Sequence, residues 1–177
     1  MDEDIKIVGD KPSLDVKKNL NKANLAKHTD NAVYESARQW GRLVAAEFLK
    51  EASSGPFEDS SDFNMLIQRR LLLSFTATVG FEEFCADDSL CGIAQKSFID
   101  TVKAENEEIY KTSQDTGAFS FYYLAFRRGG DTERRVGQTF AMLCSHDGDP
   151  VYQELGEALY CWFLSVVKNL AKQLNIN

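Results

Sequence analysis

From Pro150 onward, Val151, Leu155, Leu159, Trp162, Val166 and Leu170 recur every three or four residues, while Glu154, Glu157, Lys168 and Lys172 share the opposite side. That is the period of an amphipathic helix, and it predicts that the apolar series faces the core. Asp149 suits the N-cap and Pro150 the first helical position, so a helix over 149–173 would be roughly 36 Å long. Its acids come early and its lysines late, which complements the helix dipole.

The same period returns upstream. Thr29 and Asp30 precede Val33, Ala37, Trp40, Val44 and Phe48, a helix ending near Ser53-Ser54-Gly55-Pro56, in which Gly41 allows close approach of another helix. Ser60 and Ser61 open a helix to about Thr78 whose Phe63, Leu66, Ile67, Leu71, Leu72, Leu73 and Phe75 are apolar nearly all round, the pattern of a helix buried on most sides. Gly80 is expected to break or bend it. Asp87-Asp88-Ser89 starts a helix carrying Cys91, Ala94, Phe98, Val102 and Ile109, followed by a polar linker over 111–117.

The aromatic segment 118–126 puts Phe119, Tyr122, Tyr123 and Phe126 on one helical face; its β-propensity also fits a strand in a hairpin with 136–143. Gly129-Gly130 separates it from a helix over Thr132 to about Cys144, with Val136, Phe140 and Leu143 inward. The expected fold is therefore all-α: a single-domain, bundle-like packing of about six helices around a central C-terminal helix, over residues 31–177. Residues 1–30, rich in charge and sparse in apolar positions, read as an N-terminal arm, flexible or packed on a partner.

Composition narrows the function. A chain of 177 residues with 44% hydrophobic content can bury a full core, and a net charge of −7 disfavours nucleic acid and anionic lipid as partners. No uninterrupted apolar run approaches the roughly eighteen residues needed to span a bilayer. The acidic start, Met1-Asp2-Glu3-Asp4, is unlike a signal peptide, so the cytoplasm is expected. Cys85, Cys91, Cys144 and Cys161 lie in or beside apolar segments without Cys-x-x-Cys spacing, as reduced core thiols do.

Searches for chemistry return little. Neither His28 nor His146 follows a glutamate by three residues, which argues against a carboxylate-bridged metal bundle, and no set of four close Cys and His ligands suggests zinc. Asp147-Gly148-Asp149 begins like a calcium loop, but Val151, Tyr152 and Ala158 stand where oxygen ligands and a glycine belong. Phosphate loops, dinucleotide fingerprints and nucleophile elbows are absent from the sequence, so no cofactor and no catalytic residue is assigned. Cys144 and His146 resemble a nucleophile and base in spacing only, since no orienting group is identifiable; a core cysteine and a surface histidine describe them better.

Two features remain. Arg127, Arg128, Arg134 and Arg135 gather four guanidinium groups about a Gly-Gly turn and a helix start, where a phosphate or carboxylate could bind; pairing with Asp131 and the preceding helix end is the structural alternative. Arg70 falls on the apolar face between Leu66 and Ile67, where it must meet a carboxylate, snorkel out or bind a ligand. The first expectation is a non-enzymatic interaction or regulatory protein, working through a protein partner or as a homo-oligomer. The alternatives are a small-molecule or anion-binding domain using the arginines and the aromatic wall, and an enzyme of unfamiliar type.

Overall fold

The structure, a computed structural model, describes residues 14–53 and 60–176, with side chains over 31–53 and 63–176. Two units are distinguished, Met1–Val33 and Tyr34–Asn177, and all core packing reported below lies in the second. The arm expected over residues 1–30 falls outside the residues described with side chains. Among the described residues there are seven helices and no strand: α1 (Leu14–Ala52), α2 (Ser60–Phe84), α3 (Asp88–Glu105), α4 (Glu107–Thr112), α5 (Thr116–Arg127), α6 (Thr132–Leu143) and α7 (Pro150–Gln173). The helices pack on one another as an all-α bundle. No helix among the described residues is long and apolar enough to cross a membrane.

Several boundaries differ from the sequence expectation for identifiable reasons. Helix α1 is not opened by Thr29 and Asp30 but runs through them, because no glycine or proline interrupts residues 14–40. The helix after Asp87 stops at Asn106, whose backbone is extended and whose side chain accepts from the Ile109 amide at 3.0 Å, starting the short α4. Asp87 and Asp115 cap α3 and α5 in the same way, the latter accepting from Gly117 and Ala118 amides at 2.7 and 3.1 Å. Segment 118–126 lies in helix α5, which removes the hairpin alternative.

Helix α2 is enclosed along its middle, while Phe63 near its start is 51% exposed. Every residue from Arg70 to Ala77 is buried, and successive positions face two separate cores. Leu73, Ala77 and Phe81 join Trp40, Val44 and Phe48 of α1, Phe98 of α3, and Phe163 and Val167 of α7. Leu72, Phe75 and Val79 join Tyr122 of α5, Val136 and Phe140 of α6, and Tyr160 of α7. Helices α2 and α7 thus form a shared inner layer, with α1 and α3 on one side and α5 and α6 on the other. Phe75 gathers the aromatic face of α5 around it, with ring centroids at 6.0, 5.2, 5.1 and 6.5 Å to Phe119, Tyr122, Tyr123 and Phe126. On the other side, the buried Trp40 indole donates to the Val167 carbonyl at 3.0 Å and packs edge-on against Phe81 at 4.8 Å.

Glycines set how closely the layers meet. A Cβ on Gly41 would overlap the Ala94 carbonyl oxygen, and one on Gly137 the Gln153 carbonyl oxygen, so α1 meets α3 and α6 meets α7 at backbone contact. Gly80 does not break α2. It lies within the helix, where an added Cβ would come within 2.7 Å of the Val167 Cγ1, and its lack of side chain lets α7 approach.

The same close packing turns α7. The inward series is Gly156, Tyr160, Phe163, Val167 and Ala171, each one residue beyond Leu155, Leu159, Trp162, Val166 and Leu170 of the expected series. One residue is a rotation of about 100°. An added Cβ on Gly156 would sit 2.6 Å from the Phe140 Cβ, so only a glycine fits where α6 crosses, and Leu155 is carried outward. Val151, Leu155 and Trp162 are consequently 70%, 39% and 41% exposed rather than buried.

Arg70 closes one end of the inner layer. Only 6% exposed, it donates from Nε to the Ala52 carbonyl at 3.2 Å and from Nη1 to Glu108 Oε1 at 3.2 Å and Thr112 Oγ1 at 3.0 Å. One guanidinium therefore joins the end of α1, α2 and α4. Arg70→Ala leaves a buried carbonyl without its donor and a void, and should lower unfolding free energy by about 3 kcal/mol; an unchanged urea midpoint and slope would show that the network does not stabilise the fold. Gly137→Ala gains about 1 kcal/mol of helix propensity, but the forced separation of α6 from α7 costs more, so a net loss of about 1–3 kcal/mol is expected in the same measurement.

Candidate functional site

The α5–α6 turn is built by a short sequence of conformational demands. Helix α5 ends at Arg127, Arg128 follows as its C-cap, and Gly129 and Gly130 take positive φ values of 66° and 78°. Such values suit glycine and reverse the chain tightly into α6. An Arg135 Nη1 donates back to the Gly129 carbonyl, so this arginine braces the turn from inside. Arg127 lies over the Tyr123 ring at 5.9 Å. Arg128 and Arg134 are exposed, and no ion pair with Asp131 forms among the described residues. The structural alternative of an Asp131–Arg pairing is thus replaced by an arginine–carbonyl brace.

Beside this turn, α5 and α6 border a groove of about 410 Å³. Phe121 and Leu124 of α5, 48% and 55% exposed, form one wall, and Met142 of α6 lies opposite. Arg128 and Arg135 reach the groove from the turn, and Asp147 borders it as well. The arrangement suits a ligand with an apolar body and an anionic end. Of the five arginines considered from sequence, the groove takes in Arg128 and Arg135. Arg127 and Arg134 belong to the same turn without lining it, and Arg70 is occupied by Ala52, Glu108 and Thr112. An apolar wall from the aromatic segment was expected beside the arginines, but the side chains that border the groove are Phe121 and Leu124, which lie off the aromatic face that packs on Phe75.

A larger groove of about 560 Å³ borders α1 and α3, but its charges are already matched. Arg38 and Arg42 bind Glu35 at 3.1 and 2.6 Å, and Lys96 binds Asp100 at 2.9 Å. The Arg42 guanidinium, with Arg38 beside it, holds the Glu35 carboxyl below the usual carboxylate range. That surface offers less net charge to a ligand than the α5–α6 groove does.

Burial pushes the Cys144 thiol up to about 12, so it stays protonated at neutral pH and is a poor nucleophile. His146 stacks on Tyr152 with ring centroids 3.8 Å apart, and its Nδ1 lies 3.9 Å from Asp149 Oδ2. Asp149 itself caps α7, accepting from the Val151 amide at 2.9 Å. Among the described residues no three His, Cys, Asp or Glu side chains come together in a metal-binding group. Tyr122 is also set apart from proton transfer, because burial raises its hydroxyl well above the ordinary phenol value.

In native protein at pH 8, Cys144 should resist iodoacetamide while unfolded protein is labelled there readily, as read by peptide mass spectrometry; fast native labelling at Cys144 would restore it as a reactive thiol. Comparison with protein-family models, with curated proteins and with solved structures finds no match to this chain, so its residues and their geometry carry the functional reading.

Proposed function

We propose that the protein is a non-enzymatic helical interaction protein, and that the α5–α6 groove takes an amphipathic, acidic segment of a partner protein. The carrying observation is the continuity of an exposed apolar wall, Phe121 and Leu124, with the guanidinium groups of Arg128 and Arg135 in one groove. Apolar anchors beside a charged end are what a helix-in-groove contact uses, the apolar area contributing affinity and the charges orientation. Exposed aromatic and aliphatic side chains grouped in one place also favour association over solvated surface. The surplus of charge on this turn, within a chain of net charge −7, makes an acidic partner the fitting one. A cytoplasmic, reducing setting suits the four free cysteines.

A second reading has its own support. Two guanidinium groups entering one groove also suit a small anion such as a phosphorylated or carboxylated metabolite, with the apolar wall holding its body. The two readings separate by titration. A fluorescently labelled amphipathic helical peptide, leucines on one face and glutamates toward one end, should bind in the micromolar range. Its affinity should fall about tenfold or more, roughly 1.4 kcal/mol, with Arg128→Glu or Leu124→Asp, and should weaken with salt. Equal binding by wild type and both variants would remove the groove from the account. A rise in melting temperature with phosphate or citrate that Arg128→Glu abolishes, without peptide binding, would favour the small-anion reading.

A further inference from the structure

Among the described residues, no element covers an outward stripe of α7 that is apolar toward its N-terminal half. Val151, Leu155 and Trp162 are exposed, and the exposed Ala158, Ser165 and Asn169 complete one stripe at helical spacing. The order of residues along and beside this stripe identifies what covers it. Trp162 stands at the middle of the helix that runs from Pro150 to Gln173. On one flank lie Glu154 before it and Lys172 after it, each about 80° round the helix from Trp162, whereas Glu157 is half-buried and Lys168 lies over the Phe84 ring at 5.4 Å; on the other flank lie the half-buried Leu159, Val166 and Leu170.

Reversing the helix about Trp162 maps each flank onto itself. Glu154, eight residues before Trp162, then falls opposite position 170, next to Lys172. Leu155 falls opposite Asn169, beside the half-buried Val166 and Leu170. A parallel pair would set the charged flank against the apolar one. The helix dipoles also favour the antiparallel order.

We infer that α7 is a homodimer interface in which two copies of this chain pack α7 on α7, antiparallel, across a two-fold axis at Trp162, with Glu154 of each copy facing Lys172 of the other. The contact is isologous, so each charge match occurs twice. One helix presents on the order of 400 Å² per copy, about half of a standard interface side, which makes the dimer reversible and micromolar rather than permanent. The interface shares no residue with the α5–α6 groove and does not depend on the peptide-binding reading.

Sedimentation equilibrium of the full chain from micromolar to near-millimolar loading tests this directly. The wild type should pass from monomer to dimer, while Trp162→Glu and Leu155→Glu should stay monomeric with unchanged helical circular dichroism. Glu154→Lys should weaken the dimer about tenfold, and Glu154→Lys with Lys172→Glu in the same chain should restore it. Arg128→Glu and Leu124→Asp should dimerise as wild type, which separates this interface from the groove. A wild type monomeric throughout the range, Trp162→Glu dimerising like wild type, or a charge-exchanged double variant no tighter than Glu154→Lys alone would overturn the inference.

Discussion

The structure depends on the enclosure of α2. A helix covered on both sides has no wet face on which to place polar groups, so every position from Arg70 to Ala77 must be reconciled with a dry environment. Apolar residues divide between the two cores, Leu73 and Ala77 to one and Leu72 and Phe75 to the other. Thr76 returns its hydroxyl proton to the Leu72 carbonyl at 2.8 Å, and Ser74 lies 3.5 Å from Gln114 Nε2. Arg70 marks the limit of this regime. Its stem is buried while Glu108, 72% exposed at the side chain, comes to it from the wet side, which spares the pair part of the desolvation that a fully buried ion pair incurs.

Much of this was legible in the sequence because periodicity and caps are local. The aromatic face of α5 and the core positions Ala37, Trp40, Val44 and Phe48 follow directly from spacing, as does the role of Gly41, whereas Val33 at the head of the same series is exposed. What escaped was set by non-local contact. The inward face of α7 is chosen by where α6 crosses, and a pattern weighted by side-chain size ranks Leu155 and Trp162 above Gly156 and Ala171. Gly80 carries the same lesson, since a residue that reads as a breaker serves as a contact point when a neighbouring helix needs the space. For Arg70, the need for a partner was plain, but Ala52, Glu108 and Thr112 come from helices distant in sequence.

The candidate site shows a similar division. Four arginines around a Gly-Gly turn are obvious in the sequence, yet their roles diverge once the backbone is fixed. Arg135 braces the Gly129 carbonyl, Arg127 lies over Tyr123, and Arg128 faces the groove. The wall beside them exists because α5 spends its aromatic face on Phe75 and leaves Phe121 and Leu124 with no inner partner. The positions that the core does not need on α5 and α7 are therefore the ones that leave Phe121, Leu124, Val151, Leu155 and Trp162 exposed.

The two tryptophans lie in opposite surroundings, Trp40 sealed in the core and bonded to the Val167 carbonyl, Trp162 facing water at the middle of α7. Native fluorescence is consequently the sum of a short-wavelength emitter shielded from quenchers and a longer-wavelength one open to them. Loss of the blue component tracks melting of the interior, and quenching by a soluble agent samples only the outer indole. The molecule thus carries, without any label, separate optical signals for its folding and for events at its surface.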